Sequence, residues 1–89
     1  MRNDTEAPET RLKRLHIRSM RRGIREMDLI LTAFATAELK RMTEADLLLY
    51  DRLLEENDQD LYAWVTGQTD TPEPYGTLVA RIASGIHLN

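Results

Sequence analysis

Residues 43–67, TEADLLLYDRLLEENDQDLYAWVTG, decide the fold. Thr43-Glu44-Ala45-Asp46 fits the Ser/Thr-x-x-acid pattern of a helix start. The Thr43 hydroxyl can accept a hydrogen bond from a free N–H of the first turn, worth roughly 1 kcal/mol. Met42, before the cap, and Leu47, four residues after it, make a hydrophobic staple. Leu47, Tyr50, Leu53 and Leu54 then recur at helical spacing. Asn57 and Asp58 are both good caps, so the chain stops there and restarts as a short helix carrying Leu61, Trp64 and Val65. Gly67 closes that helix as a natural left-handed cap.

The same punctuation extends outward in both directions. Towards the N-terminus, Leu12, Leu15, His16, Ser19 and Met20 have helical spacing from Thr10 to Arg22, and Gly23 interrupts them. From Ile24 to Glu38 a second run follows, with Met27, Ile30, Leu31, Phe34 and Ala37 on one face. Towards the C-terminus, Gln68 to Pro74 is turn chemistry, with Pro72 and Pro74 around Glu73. A fifth helix then carries Leu78, Val79, Ile82, Ala83 and Ile86 and frays at Gly85. No stretch alternates as a strand does. The expected fold is all-α, a small compact bundle of five short helices: residues 10–89 as one domain behind a flexible polar tail of residues 1–9. Trp64, Tyr50, Tyr62 and Phe34 are expected in the core or at its edge.

Composition limits the function. Without any cysteine there is no disulfide, no cysteine-ligated zinc and no iron–sulfur cluster. No apolar run approaches the ~20 residues of a membrane span. The start, Met1 to Glu9, contains Asp4, Glu6 and Glu9, unlike a secretory signal or an acidic-poor mitochondrial presequence. The expected location is therefore a reducing one, the bacterial cytoplasm. His16 and His87 lie at opposite ends in no metal-ligand spacing, so no metal site is expected, and His16 reads as a half-buried packing residue. Glycines are scattered and form no phosphate loop, and Ser19 and Ser84 sit in no nucleophile context. An enzyme is not expected, nor a small-molecule substrate.

Charge is unevenly placed. Residues 1–26 carry eight Lys/Arg against four Asp/Glu, and residues 27–89 carry four against eleven. The basic end is a stripe of Arg11, Lys13, Arg14, Arg18, Arg21, Arg22 and Arg25. It reads either as a solvated helix face or as a docking edge for an acidic partner. Nucleic acid is disfavoured, because the rest of the chain repels phosphate and no aromatics interleave with the stripe. Asp46, Asp51, Glu55 and Glu56 read as a solvated outer face.

Within the stripe, Arg21-Arg22-Gly23-Ile24-Arg25-Glu26 sets a glycine between two helices, flanked by arginines and followed by a carboxylate. Gly23 can serve as a positive-φ helix end. An Arg22–Glu26 pair would run in the less favourable orientation, so stability alone gives little reason for it. Arg22-Gly23-x-x-Glu26 resembles the RGxxE motif of the succinate dehydrogenase assembly factor family, called SdhE in bacteria. The likeness continues through Met27, Asp28 and Leu29 to Phe34. It returns in Leu53 to Trp64, similar to the family's LLE-x-x-D-x-DL-aromatic-x-W region, and covers about residues 11–86. Ile24, where many members carry methionine, and Arg25 are departures at variable positions.

The resemblance implies a five-helix assembly chaperone. Such a protein binds the flavoprotein subunit of succinate dehydrogenase, and in some bacteria that of fumarate reductase, and promotes covalent attachment of FAD to it. The bond joins a partner histidine to the flavin 8α-methyl carbon, and its chemistry belongs to the flavin and the partner. No cofactor site is implied in this chain, and with no βαβ unit or glycine fingerprint no tight FAD binding is expected. On that model Gly23 lets a partner backbone approach closely, Arg22 offers a planar fork, and Glu26 presents the opposite charge one turn on. Arg18 and Arg21 are second-line contacts. Loss of Arg22 or Glu26 would then show in complex formation and not in folding. The alternative is a generic protein-binding helical adaptor with a basic docking edge.

Overall fold

The computed structural model describes residues 6–86, which among themselves form helices and turns only. Helix α1, Pro8–Met20, starts two residues before Thr10, with Pro8 in the first turn, where its missing N–H costs nothing. Of the expected tail, residues 1–5 lie outside the described residues. Pro8 and Glu9 belong to α1, and Glu6 accepts from Arg14 Nε at 2.9 Å. Residues 21–24 then turn the chain into α2, Arg25–Glu38, which tightens into a single 3-10 turn, Leu39–Arg41.

Helix α3, Glu44–Leu53, begins as its sequence predicts: Thr43 Oγ1 accepts from the Asp46 N–H at 3.1 Å. Helix α4, Asp58–Val65, is capped by Asn57 Oδ1, which accepts from the Gln59 N–H at 2.7 Å. Gly67 takes the left-handed conformation, φ +80°. Helix α5, Gly76–Ser84, ends at Gly85 with φ −89°, in the ordinary right-handed region.

The core gathers one face of every helix. Leu15 of α1, Met27 and Leu31 of α2, and Tyr50 and Leu53 of α3 are fully buried. Leu61 and Val65 of α4, and Leu78, Val79 and Ile82 of α5, complete it. Each such side chain contributes about 1.5–3 kcal/mol relative to exposure. Phe34 and Tyr50 meet as tilted rings 5.4 Å apart. Trp64, half-buried, stacks on Tyr75 at 6.0 Å. Met20 departs from the expected face and is exposed. It lies about 100° around the helix from buried Ser19, on the last residue of α1.

Ser19 is the buried polar side chain of this core. Its O–H donates to the Leu15 carbonyl at 2.8 Å, which leaves its oxygen to accept from the Tyr50 O–H at 2.6 Å. Burial pushes the Tyr50 phenol up to about 12, so it remains a donor at neutral pH.

Candidate functional site

The turn between α1 and α2 is tied to the start of α4 by one carboxylate. Asp58 Oδ1 accepts from Arg22 Nε at 2.7 Å, and Asp58 Oδ2 accepts from the Gly23 N–H at 2.6 Å. Arg22 Nη1 donates to the Leu54 carbonyl at 3.1 Å, and Nη2 to the Glu56 carbonyl at 3.3 Å. These oxygens follow α3, where a helix leaves carbonyls without intrahelical partners. Arg22 therefore closes the end of α3, while Asp58, the first residue of α4, sits at the positive end of that helix dipole.

Arg22 is thus placed inward. Its side chain is only 9% exposed. The expectation of an outward fork gives way because its donors are engaged inside the protein. Arg18, expected as a second-line contact, is likewise engaged, with Nη1 2.7 Å from Asp51 and Nη2 2.9 Å from Glu55. Gly23 is exposed, but its φ is not positive. A β-carbon there would stand 3.1 Å from Asp58 Oδ2, so close approach is what calls for glycine.

Glu26 is placed outward. It is exposed in the first turn of α2, one residue before fully buried Met27, so a pinned backbone carries a solvated carboxylate. Arg21 and Arg25 are exposed beside it in the sequence. Among the described residues none of the three has a side-chain hydrogen bond or ion pair. The inward Arg22 and Gly23 and the outward Glu26, Arg21 and Arg25 thus share one junction.

Part of the basic stripe meets the acidic face of α3, which corrects the solvated reading for the paired residues, while Lys13, Arg21 and Arg25 stay exposed. Arg11 pairs with Glu44, and Arg14 with Asp51 at 2.9 Å. Arg18 spans Asp51 and Glu55, and Arg22 reaches Asp58. Partner numbers rise together, so α1 and α3 run side by side in one direction with α2 as the return. The signal was present as two stripes of opposite sign at helical spacing: Arg11, Arg14 and Arg18 against Glu44, Asp51 and Glu55. Burial pushes the Asp51 carboxyl up, but the Arg14 and Arg18 guanidiniums outweigh it and leave it below its ordinary value. The hydrogen bond from Arg14 lowers Glu6 in the same way. The other two acids of that face are also engaged. Glu56 accepts from the Tyr75 O–H at 3.0 Å, and Asp46 from Arg81 at 3.4 Å.

Elsewhere the chemistry is sparse. A groove of about 380 Å³ lies between α2 and α5, walled by Ile30, Phe34, Ile82 and Ile86. Its two charged residues, Glu38 and Arg81, pair with each other at 2.8 Å. Among the described residues no three His, Asp or Glu side chains gather to hold a metal ion, and no helix is long and apolar enough to cross a membrane. His16 is half-buried with Nε2 3.4 Å from Thr36 Oγ1. His87 lies outside the described residues.

Residues 13–85 match the family model Sdh5, described as flavinator of succinate dehydrogenase. The chain is 45% identical over 75 residues to succinate dehydrogenase assembly factor 2, mitochondrial, of Scheffersomyces stipitis, covering 83% of this chain and 50% of that protein. The protein of the same name in Mycosarcoma maydis is 44% identical over 69 residues, 78% of this chain and 29% of the relative. The Dictyostelium discoideum protein is 34% identical over 80 residues, 90% and 57% respectively. The chain therefore spans between 29% and 57% of the length of these relatives. Their names place those proteins in mitochondria, which overturns the expectation of a bacterial cytoplasm. That expectation rested on the acidic residues 1–9, and with relatives this much longer than the match, those residues say nothing about compartment.

Proposed function

This chain belongs to the Sdh5 family, the flavinators of succinate dehydrogenase, and from that membership we propose that it binds the flavoprotein subunit of that enzyme and promotes covalent attachment of FAD to it. The α1–α2 junction is the docking surface. The observation that carries this reading is the exposed Glu26 carboxylate beside Arg21 and Arg25, on a turn whose backbone is tied down at Gly23. A surface held in one conformation before contact loses less entropy on binding than a mobile one. Opposite charges close together also fix the orientation of the partner as well as attracting it.

Arg22 enters this function from behind the surface, by holding the turn, while Gly23 keeps the junction thin enough for a partner backbone to approach. The protein acts as a binding factor and not as an enzyme. The flavin and the flavoprotein supply the groups that make the bond, and this chain holds the flavoprotein in its reactive conformation. Affinity co-purification tests the proposal: the wild-type chain recovers the flavoprotein, and Glu26→Arg, which reverses the charge at an exposed position, abolishes recovery. Equal recovery by both proteins would remove Glu26 from the interface.

A further inference from the structure

We infer that Asp58, thirty-odd residues away from the Arg22–Glu26 motif in sequence, is the positioning residue that holds the docking surface in its binding shape. The inference rests on the reading of that surface as the flavoprotein contact. The two oxygens of Asp58 serve two consecutive residues of the turn, the Arg22 side chain at 2.7 Å and the Gly23 backbone at 2.6 Å. Residues 21–24 lie between helices, so this link fixes the turn to the first residue of α4. Glu26, three residues after Gly23, is the second residue of α2, and its direction follows from the turn. Asp58 itself is only 18% exposed at its side chain, so it lies behind the surface it shapes.

The geometry predicts what each substitution does. Asp58→Asn keeps the size and one acceptor, which stays on the charged Arg22 donor, and turns its NH2 group towards the Gly23 N–H, so the bond to Gly23 is lost. Asp58→Glu keeps the charge but displaces the carboxylate by one methylene. Gly23→Ala crowds the same link from the other side, because the new β-carbon would sit 3.1 Å from Oδ2 and the carboxylate must give by a few tenths of an ångström.

The test measures flavoprotein binding by the intact chain at a temperature where circular dichroism shows each variant folded, alongside the amide proton shift of Gly23. Expected are at least a tenfold loss of affinity for Asp58→Asn and for Gly23→Ala, and an upfield move of the Gly23 amide in Asp58→Asn. If Asp58→Asn does not fold, Asp58→Glu takes its place with the same expected loss. A folded Asp58 variant that binds like wild type would overturn the inference. A role in stability alone moves the melting temperature but not the affinity of the folded protein. If wild type itself fails to bind the flavoprotein, the functional reading fails, while an unmoved Gly23 amide in the variant refutes the link independently.

Discussion

Replacing Arg22 with alanine should destabilise the fold, although the residue belongs to a motif at a surface turn. The substitution removes the ion pair to Asp58 at 2.7 Å and the donors to the Leu54 and Glu56 carbonyls. The pair is 9% and 18% exposed, so it is shielded far better than a surface pair worth about 0–1 kcal/mol. Loss of one partner from a fully buried pair costs about 3–5 kcal/mol. Here Asp58 keeps its bond from the Gly23 N–H, and water can reach its edge. A loss of about 2–3 kcal/mol follows, as for hydrogen bonds to charged groups. For a domain of this size that lowers the melting temperature by about 10–20 °C. Urea titration followed by helical circular dichroism measures it directly, with the slope unchanged and the midpoint moved. Glu26→Ala, at an exposed position, should stay within about 0.5 kcal/mol of wild type in the same assay. An Arg22→Ala protein as stable as Glu26→Ala would show that the guanidinium does not hold α3 and α4 together.

Acidification should weaken the seam between α1 and α3. Asp51 and Glu6, which pair with arginines of α1, have lowered folded-state pKa values, so their stabilisation is present above the ordinary carboxylate range, about pH 4, and is lost as pH falls through the lower folded values. Thermal melts should be level from pH 7 to about 5 and fall below about 4, with a smaller fall in Asp51→Asn; identical melts at pH 7 and pH 3 would contradict the paired state of these acids. Gly67→Ala should cost about 1 kcal/mol from backbone strain alone, because φ is +80° and no atom lies within 4 Å of the added carbon. A chemical-denaturation midpoint unchanged by that substitution would mean that the end of α4 relaxes freely.

The helices were readable because local chemistry and burial agree. Thr43, Asn57 and Gly67 do at the helix ends what their side chains favour, and the apolar spacing found the buried faces of α3 and α5 and that of α2 as far as Phe34, beyond which Ala35 is buried and the expected Ala37 is exposed. What the sequence hid was long-range pairing. Arg14 and Asp51 are 37 residues apart, and each alone looks like an ordinary solvated charge. Only the matched spacing of the two stripes hints that they face each other. The same limit misplaced Arg22. A motif arginine beside a glycine invites an outward reading, whereas its partners Asp58, Leu54 and Glu56 lie in another part of the chain. Of the two roles the sequence offers Gly23, a positive φ is not used, and the missing side chain makes room for Asp58 of the same chain.

On the proposed function, the exposed face of the α1–α2 junction meets the flavoprotein. The most direct test is in-gel fluorescence of covalent flavin on the succinate dehydrogenase flavoprotein, in cells lacking the gene and complemented with wild type or with Glu26→Arg expressed at equal levels. Wild type should restore the fluorescent band and Glu26→Arg should leave it at the level of the deletion. Full restoration by Glu26→Arg would contradict the claim.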